Sequence, residues 1–203
     1  MTRLFLVRHA AHDWLGRGLC GRMPGVALNA QGQAQAHELA ARLQIRIDAI
    51  CSSPQQRALE TAAPVAARMG LPVKVAGEFD EIDFGEWTGR EMADLAAQGA
   101  LWQHWVERRS TATPPAGEPF SGVAARTLAG AARLAREHAG QSVLVFSHCD
   151  VIKALLASCL GLSLDYLENF EVAPASLSLI DMEGDQWQVR LVNQALTGPS
   201  LPP

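Results

Sequence analysis

Three polar segments of the chain each follow a short apolar run. They are Arg8-His9, the turn from Ser52 to Arg57, and Ser147-His148. Arginine side chains suit forked contacts with phosphate or carboxylate oxygens. Arg57 also falls in the first turns of a predicted helix, where free backbone N–H groups and the helix dipole favour an anion. Two arginines and two histidines at such positions predict a phosphate site, provided that the fold brings the three segments together.

The elements that must position these segments alternate between strands and helices. Continuous apolar runs predict strands that are buried on both faces. These strands are predicted at Leu4 to Val7, Asp48 to Cys51, Val73 to Val75 and Val143 to Phe146, followed by a terminal hairpin of SLSLIDM and WQVRLV. The order predicts an α/β fold, a three-layer sandwich with a mostly parallel central sheet. Ligands of such sheets bind beyond the carboxyl ends of the strands, where the polar segments lie.

Capping residues and apolar periodicity predict the helices. Ser53 is predicted to cap a helix that continues to about Met69, with Pro54 at its first position and Gln56 completing a capping box. Apolar residues three or four positions apart predict the other helices. The first of these helices follows Asn29 and has Ala36, Leu39, Ala40 and Leu43 on one face. A second extends from Arg90 to Arg109, and a third, which ends near Gly140, has Leu128, Ala131, Ala132 and Ala135 on one face. The last is capped by Asp150 and ends at Gly161.

Length and composition indicate a globular protein. The 203 residues are 48% hydrophobic and 19% charged, which argues against disorder. We expect a single domain over residues 1–203, with a tail at about 197–203. Residues 90–120 are expected to form an excursion that closes over the substrate; it contains Trp102, Trp105, Arg108 and Arg109. The competing interpretation is that the two tryptophans pack in the core.

The charge and the cysteine content exclude several classes of protein. A formal net charge of −4 disfavours binding to nucleic acid or to a membrane surface. The four cysteines are irregularly spaced, which indicates reduced thiols and a cytoplasmic location rather than a disulfide framework. No apolar run approaches the roughly 18 residues of a membrane span, and the first run is too short for a signal peptide. The sequence leaves open whether the protein forms a homodimer.

Four motifs in this order resemble the histidine phosphatase superfamily, which has the phosphoglycerate mutase-like fold. The motifs are LFLVRHA near the N-terminus, SSPQQRALETA from Ser52, FDEIDFGEWTG from Phe79 and VLVFSHCDVIKALL from Val143. The resemblance implies a phosphatase that works through a phosphohistidine. It implies that His9 is the nucleophile and Glu81 the proton donor. It also implies that Arg8, Arg57 and His148 bind the phosphoryl group.

The chemistry of phosphoryl transfer fits these residue types. The transition state spreads negative charge over three equatorial oxygens, which guanidinium groups and a protonated His148 would contact. A neutral His9 would attack phosphorus while its other ring nitrogen donates to a backbone carbonyl. An acid would protonate the leaving alkoxide and later activate water. Spacing alone does not choose among four candidate acids, which are Asp80, Glu81, Asp83 and Glu86.

The sequence departs from the family pattern at several positions of the site. Ala10 follows the nucleophile where the family usually has glycine, so we expect ordinary backbone angles there. His12 and Leu15 replace a common Thr or Ser and a common Asn. His12 is expected either to replace the lost phosphate contact or to be a surface residue. Cys149, which replaces a common glycine, is expected to be a small packed residue. His12, Gly21 and Cys149 complete the candidate substrate-binding residues.

Three other interpretations fit parts of the sequence. Cys51 and Arg57 have the Cys-x5-Arg spacing of cysteine-dependent phosphatases, although Pro54 lacks the backbone N–H that a phosphate loop needs. A catalytically silent phosphate-binding domain is the second interpretation. A metallohydrolase is the third, although the spacing of its ligands matches no common zinc site. Its ligands would come from His9, His12, His148, Cys149 and Asp150.

The resemblance also narrows the range of expected reactions and substrates. Mutases of the family tend to be longer, so 203 residues favour a phosphatase, with mutase-type phosphoryl transfer as the alternative. The substrate is expected to be a small phosphorylated metabolite. The stretch FDEIDFGEWTG resembles enzymes that dephosphorylate α-ribazole phosphate. We expect neither a metal nor another cofactor.

Overall fold

A computed structural model describes residues 1–196 of the chain, and the tail expected at 197–203 lies outside the described residues. The strands, numbered in chain order, are Thr2–Arg8 (β1), Gly18–Leu19 (β2), Ala49–Ser52 (β3), Val73–Val75 (β4), Arg90–Glu91 (β5), Ser142–Ser147 (β6), Ser176–Glu183 (β7) and Gln186–Ala195 (β8). The α-helices are Ala30–Arg42 (α1), Gln56–Met69 (α2), Met92–Ala96 (α3), Ala100–Glu107 (α4), Phe120–Glu137 (α5) and Cys149–Leu160 (α6). Short 3-10 helices occupy Gly77–Phe79, Gly85–Trp87 and Leu164–Asn169.

The central sheet is mostly parallel, as the sequence predicts. Its strand order is β4-β3-β6-β1-β7-β8. Strands β4, β3, β6 and β1 are parallel to one another, and β7 and β8 add an antiparallel hairpin beside β1. Strands β2 and β5 pair separately in a small antiparallel ribbon.

The strand register brings the predicted polar segments to one edge of the sheet. Arg8, the last residue of β1, pairs with Ser147, the last residue of β6. Ser52, the last residue of β3, pairs with Phe146. Because these three strands are parallel neighbours, the residues that follow them lie side by side beyond the same edge.

Helices cover both faces of the sheet, which gives three layers. Leu4 and Leu6 of β1 pack in the cluster that α5 and α6 complete. Phe5 and Val7 lie in the opposite cluster with α1 and α2. Full burial of each such side chain contributes about 1.5–3 kcal/mol, so strand β1 is fixed from both sides. Among residues 1–196, no helix combines the length and apolarity needed to cross a membrane.

The predicted start of α2 is wrong by two residues. The helix begins at Gln56 with Gln55 as its N-cap, rather than at Pro54 after a Ser53 cap. The capping box with Gln56 therefore does not form. The reason is that the Ser53 hydroxyl is engaged by side chains from two distant segments.

The predicted cap of α6 is also wrong. The helix begins at Cys149, with His148 as the N-cap residue, and Asp150 lies in its first turn. The Asp150 carboxylate accepts a hydrogen bond from Arg109 Nη1 at 3.0 Å instead of capping the helix. A tertiary ion pair thus competes successfully with the local cap.

The excursion from residue 90 contains two short helices rather than the one predicted. Gly99, with φ of +63°, separates α3 from α4. Trp105 of α4 is 1% exposed and packs in an apolar cluster with Phe84 and Phe120. Trp102 packs edge-on against Trp87. The core interpretation is confirmed for Trp105, and closure of the excursion over a substrate stays a prediction.

The buried face of α5 matches the predicted stripe only in part. Ala131 is buried and Ala135 packs partly buried against the core, as predicted, whereas Leu128 is 40% exposed. Val123, Thr127 and Leu134, which lie outside the predicted stripe, are buried as well. Spacing indicated a helix correctly and did not determine which face is buried.

Candidate active site

His9 lies immediately beyond β1 and is 3% exposed. Its backbone N–H donates to the Ser147 carbonyl at 2.8 Å. Its ring Nδ1 lies 2.9 Å from the Ala10 carbonyl oxygen. A carbonyl only accepts hydrogen bonds, so Nδ1 carries the proton and Nε2 keeps its lone pair. Within the described chain Ala10 is not among the residues with positive φ, as expected, and its N–H donates to the Thr61 hydroxyl at 3.0 Å.

Arg57 projects from the first turn of α2 and is fully buried. Its Nη2 donates to the Gly21 carbonyl at 2.8 Å and lies 3.2 Å from His148 Nδ1. Its Nε and Nη1 are buried without a hydrogen-bond partner in residues 1–196. Buried charged donors are costly unless they are paired. This guanidinium is therefore suited to an anionic ligand.

Arg8, at the end of β1, is the second cation of the site. Its Nη1 donates to the Val172 carbonyl at 2.6 Å, which fixes the side chain. Its Nε is also buried and without a partner among the described residues. The two guanidinium groups together give the site a positive potential, which adds to burial in lowering the pKa of His9.

His148 lies between β6 and α6 and is fully buried. Its ring centroid is 5.1 Å from that of His9. Burial, and then the charge of Arg57, hold the pKa of both histidines well below the usual value. His9 is thus neutral, which is the form that can attack phosphorus. His148 is neutral here as well, and its protonation in the phosphoryl transition state stays a prediction.

Glu81 faces this group from the loop after Gly77–Phe79. Its Oε2 lies 3.6 Å from Arg57 Nη2 and 3.4 Å from His148 Nδ1. The pKa of Glu81 is raised to about 7, chiefly by burial and in part by the charge of Asp150, while the charge of Arg57 opposes the shift. A carboxyl group that titrates near neutral pH can donate a proton in one step and accept one in the next.

The other three acidic candidates are engaged elsewhere or exposed. Asp80 Oδ1 accepts a hydrogen bond from the Glu81 backbone N–H at 2.7 Å. Asp83 accepts one from the Gly85 backbone N–H at 2.9 Å. Glu86 is exposed. The geometry therefore favours Glu81, which spacing alone could not choose.

The arrangement can be compared with that of known proteins. A family model described as "Histidine phosphatase superfamily (branch 1)" matches residues 4–195. The chain belongs to the histidine phosphatase superfamily. Its fold, with a mostly parallel sheet between helices, is the fold of that superfamily.

Curated relatives within the superfamily differ in length. A bifunctional protein of Mycobacterium tuberculosis is 37% identical over 95% of this chain, which covers 54% of that relative. The chain thus spans about half the length of the first curated relatives that it matches. The adenosylcobalamin/alpha-ribazole phosphatase of Escherichia coli is 30% identical over 97% of this chain and 98% of its own length.

A solved structure of the superfamily superposes over almost the whole chain. It is YhfR of Bacillus stearothermophilus, with a TM-score of 0.91 and 27% sequence identity. The match covers 96% of this chain and 98% of the other. The two chains therefore share the positions of their main-chain elements.

His12, at which this member of the superfamily departs from the family pattern, is not a surface residue. It is 4% exposed, and its ring centroid lies 4.9 Å from that of His9. Its Nδ1 accepts a hydrogen bond from the Trp14 backbone N–H at 3.2 Å. Burial, and then the charge of Arg57, lower the pKa of His12 to about 4. The neutral ring therefore carries its proton on Nε2 and can donate there.

A cavity of about 150 Å³ opens in front of His9. The sequence-predicted residues that line it are Arg8, His9, His12, Gly21, Glu81 and Cys149. Arg57 and His148 lie behind this wall and contact Glu81. A larger cavity of about 710 Å³ lies at the opposite edge of the sheet, near Thr2 and Gly184, and contains none of the predicted site residues.

The cysteines do not support a thiol nucleophile. Cys51 is buried in the core cluster of α5 and α6, away from the cavity, and burial raises its pKa. The backbone N–H of Ser53 donates to the Phe146 carbonyl, so it cannot cradle a phosphate. The Cys-x5-Arg interpretation is therefore wrong. Cys149 lines the cavity, and burial raises its pKa to about 11, so it is a protonated, packed thiol.

The metal-ligand set proposed from the sequence assembles only in part. His9 and His148 belong to that set, and their ligand-type atoms lie within 4.8 Å of each other and of a Glu81 oxygen, a ligand that the sequence had not suggested. The guanidinium of Arg57 lies 3.2 Å from His148 and 3.6 Å from Glu81. A fixed positive charge at that distance repels a metal ion and attracts an anion.

Sequence reasoning missed two residues that support the site. Ser53, interpreted as a helix cap, contacts His148 Nε2 at 2.7 Å. The Thr61 hydroxyl accepts from the Ala10 backbone N–H and donates to the Arg57 carbonyl, which connects the loop after β1 to α2. Both residues lie within the motif SSPQQRALETA, so the signal was their presence in a motif that also carries Arg57.

Proposed function

We propose that this chain is a phosphomonoester hydrolase that acts through a phosphohistidine at His9. The observation that carries the proposal is the fully buried Arg57 guanidinium, whose Nε and Nη1 lack partners in residues 1–196 while neutral His9 and His148 lie beside it. A phosphoryl group supplies three acceptor oxygens for such donors and an electrophilic centre for His9.

The first half-reaction transfers the phosphoryl group to the protein. The lone pair of His9 Nε2 attacks phosphorus, and the bond from phosphorus to the ester oxygen breaks on the opposite side. Glu81 gives its proton to the leaving oxygen, so the product departs as an alcohol. Arg8 and Arg57 balance the charge on the phosphoryl oxygens. The Ala10 carbonyl, at 2.9 Å from Nδ1, stabilises the charge that develops on the ring.

The second half-reaction releases phosphate. The Glu81 carboxylate takes a proton from water, and the water oxygen attacks phosphorus while the bond to His9 Nε2 breaks. Glu81 ends protonated and His9 ends neutral, so both groups return to their starting state. A pKa of about 7 for Glu81 lets it serve both steps near neutral pH.

The shape and charge of the cavity favour a small substrate whose alcohol part is uncharged. The cavity wall contains apolar side chains from Trp14, Leu15, Leu19 and Phe84. Its other charged side chains besides Arg8 are the acids Glu81 and Asp150. Arg8 and Arg57 are engaged by the phosphoryl group in this proposal, so the lining side chains among residues 1–196 offer no further arginine or lysine to pair with the carboxylate of a phosphoglycerate. This favours hydrolysis over mutase-type transfer on phosphoglycerate.

The E. coli relative is named for α-ribazole phosphate, and the stretch FDEIDFGEWTG resembles such enzymes. We therefore propose α-ribazole 5′-phosphate as the first substrate to assay. The single-domain organisation, the cytoplasmic location, the absence of a nucleic-acid partner and the open question of a homodimer stay predictions from the sequence.

The test is to trap the intermediate. The purified protein is mixed for milliseconds with a labelled phosphomonoester and quenched. We expect an acid-labile, base-stable phosphoryl adduct that is absent from His9→Ala and present in His37→Ala, which changes an exposed histidine on α1. Turnover without an adduct, or an adduct that survives in His9→Ala, would contradict the mechanism. Phosphate binding without turnover across a panel of phosphorylated metabolites would favour a silent binding domain.

A further inference from the structure

Behind the phosphoryl site, a chain of hydrogen bonds connects a carboxylate to His148. His148 Nε2 lies 2.7 Å from Ser53 Oγ. Ser53 Oγ lies 3.1 Å from Asp80 Oδ1. The His148 and Ser53 side chains are both fully buried. The three residues come from separate segments, namely the start of α6, the turn after β3 and the loop before Glu81.

The donors and acceptors around Ser53 determine where its proton lies. A hydroxyl group has one proton and two lone pairs. The Gln55 backbone N–H donates to Ser53 Oγ at 3.2 Å and occupies one lone pair. The Asp80 carboxylate offers only acceptors, so the hydroxyl proton points to Asp80. The remaining lone pair faces His148, and therefore Nε2 of His148 carries a proton.

The surroundings of Asp80 support its role as an acceptor. Its Oδ1 also accepts hydrogen bonds from the Glu81 backbone N–H at 2.7 Å and from Gln55 Nε2 at 2.8 Å. Its Oδ2 lies 3.4 Å from Arg22 Nε. Every one of these partners is a donor, which is the environment of an ionised carboxylate.

The other ring nitrogen of His148 faces the reacting groups. Nδ1 lies 3.2 Å from Arg57 Nη2 and 3.4 Å from Glu81 Oε2. With the proton fixed on Nε2, the neutral ring presents a lone pair at Nδ1. A proton added to His148 must therefore appear at Nδ1, on the side of the phosphoryl site.

We propose that Ser53 and Asp80 are positioning residues that hold His148 in the Nε2–H tautomer and stabilise its protonated form when a phosphoryl group binds. His148 takes one proton from solvent at Nδ1 and donates it as a hydrogen bond to a phosphoryl oxygen. The Asp80 charge reaches the ring through Ser53. The inference rests on the proposed function, because it assigns that phosphoryl group to the Nδ1 side.

The need for such a chain follows from the other charges around His148. The cations Arg57 from α2, Arg8 from β1 and Arg126 from α5 all oppose protonation of the ring, as does His9 when it is charged. Glu81 faces Nδ1, but it must keep its own proton for the leaving group. Asp80 is therefore the carboxylate that can offset the imidazolium without giving up a catalytic proton.

The first experiment reads the tautomer directly. In protein labelled with ¹⁵N-histidine, the Nε2–H resonance of His148 is assigned by its absence from His148→Asn. We expect it to be protected from solvent exchange in the wild type and in Ser52→Ala, a matched control whose buried hydroxyl bonds the Ser53 carbonyl instead. We expect loss of the protection in Ser53→Ala. An unchanged resonance in Ser53→Ala would overturn the proposal, and this measurement does not depend on turnover.

The second experiment reads the protonated form during catalysis. With saturating p-nitrophenyl phosphate, the rate of the first burst of p-nitrophenolate reports phosphorylation of His9 and needs no proton from Glu81. We expect the alkaline limb of this rate to move down by about one pH unit in Asp80→Asn and Ser53→Ala, because an opposite charge near a titrating group is worth about that much. On that limb the rate falls about tenfold. Ser52→Ala and the hydroxyl-retaining Ser53→Thr should keep the wild-type limb.

If Ser53 and Asp80 only supported the local structure, their substitution would lower the burst rate equally at every pH. That outcome would overturn the proposal. Should Ser53→Ala fail to fold, Asp80→Asn decides by itself, because it keeps the shape of the carboxylate and removes only the charge. Absence of any wild-type burst and adduct would refute the proposed function, while the tautomer measurement would still decide whether the chain of hydrogen bonds fixes His148.

Discussion

Glu81→Gln offers a quantitative test of the acid step. Glutamine keeps the size and the hydrogen-bonding capacity of the side chain but has no proton to give to a leaving alkoxide. General acid catalysis contributes about 10²–10⁴-fold, so phosphorylation of His9 by an alkyl phosphate should slow by that factor. With p-nitrophenyl phosphate, whose phenolate leaves without a proton, we expect adduct formation to slow by less than about tenfold.

The burial of Glu81 also sets the sign of the pH dependence. Because burial raises its pKa to about 7, the free enzyme holds the proton below that pH and loses it above. For an alkyl phosphate, kcat/KM should therefore fall about tenfold per pH unit on the alkaline side. This limb should disappear in Glu81→Gln, which has no proton to lose.

Rapid-quench measurement of the adduct separates this step from hydrolysis, in which Glu81 also acts. In Glu81→Gln with p-nitrophenyl phosphate, we expect the phosphohistidine to accumulate, since the base that activates water is missing. Glu86→Gln, at an exposed acid of the same stretch, should behave as the wild type. Equal slowing of adduct formation for both substrates would refute the acid role of Glu81.

Four further outcomes follow from the structure. Arg57→Ala should weaken inhibition by inorganic phosphate by a factor that corresponds to about 2–5 kcal/mol; an unchanged inhibition constant would contradict the assignment of its buried N–H groups. Ala10→Gly should lower the free energy of unfolding in urea by about 0.4–1 kcal/mol, because the ordinary backbone angles of Ala10 give glycine no advantage. Trp105→Ala should cost about 3–5 kcal/mol in the same assay, because the side chain is 1% exposed; a surface-like loss below about 0.5 kcal/mol would argue against its core position. Exhaustive chelation should leave turnover unchanged, since the positive charge of Arg57 beside His148 opposes a metal ion; activity restored only by added metal would contradict this.

The strands of the site were predictable, and their spatial arrangement was less so. Strands such as LFLV and VLVF are buried on both faces, and each therefore appears in the sequence as a continuous apolar run. The pairing of Arg8 with Ser147 depends on register, which no local pattern encodes. The rule that ligands bind beyond parallel strands supplied the missing step.

The two predicted helix caps were wrong because a tertiary contact replaced the local hydrogen bond at each of them. Ser53 has the type and spacing of a helix cap, yet its hydroxyl bonds Asp80 and His148, which are distant in sequence. Asp150 likewise bonds Arg109. His12 lies between Ala11 and Asp13, and this local pattern does not predict that its side chain is buried. Glu81 could be chosen from four acids only through the family resemblance, because burial, not spacing, raises its pKa.

The pairing of β1 with β6 has a consequence for how this protein gains and loses activity. The contact between Arg57 and His148 joins positions 91 residues apart. Strand β6 lies between β3 and β1, and its two pairings align His148 with Arg57 on one side and with His9 on the other. No fragment or partly folded species can hold both groups in place, since long-range closure must come first. Turnover should therefore report completion of the native fold, appearing at the end of refolding and vanishing together with the global transition.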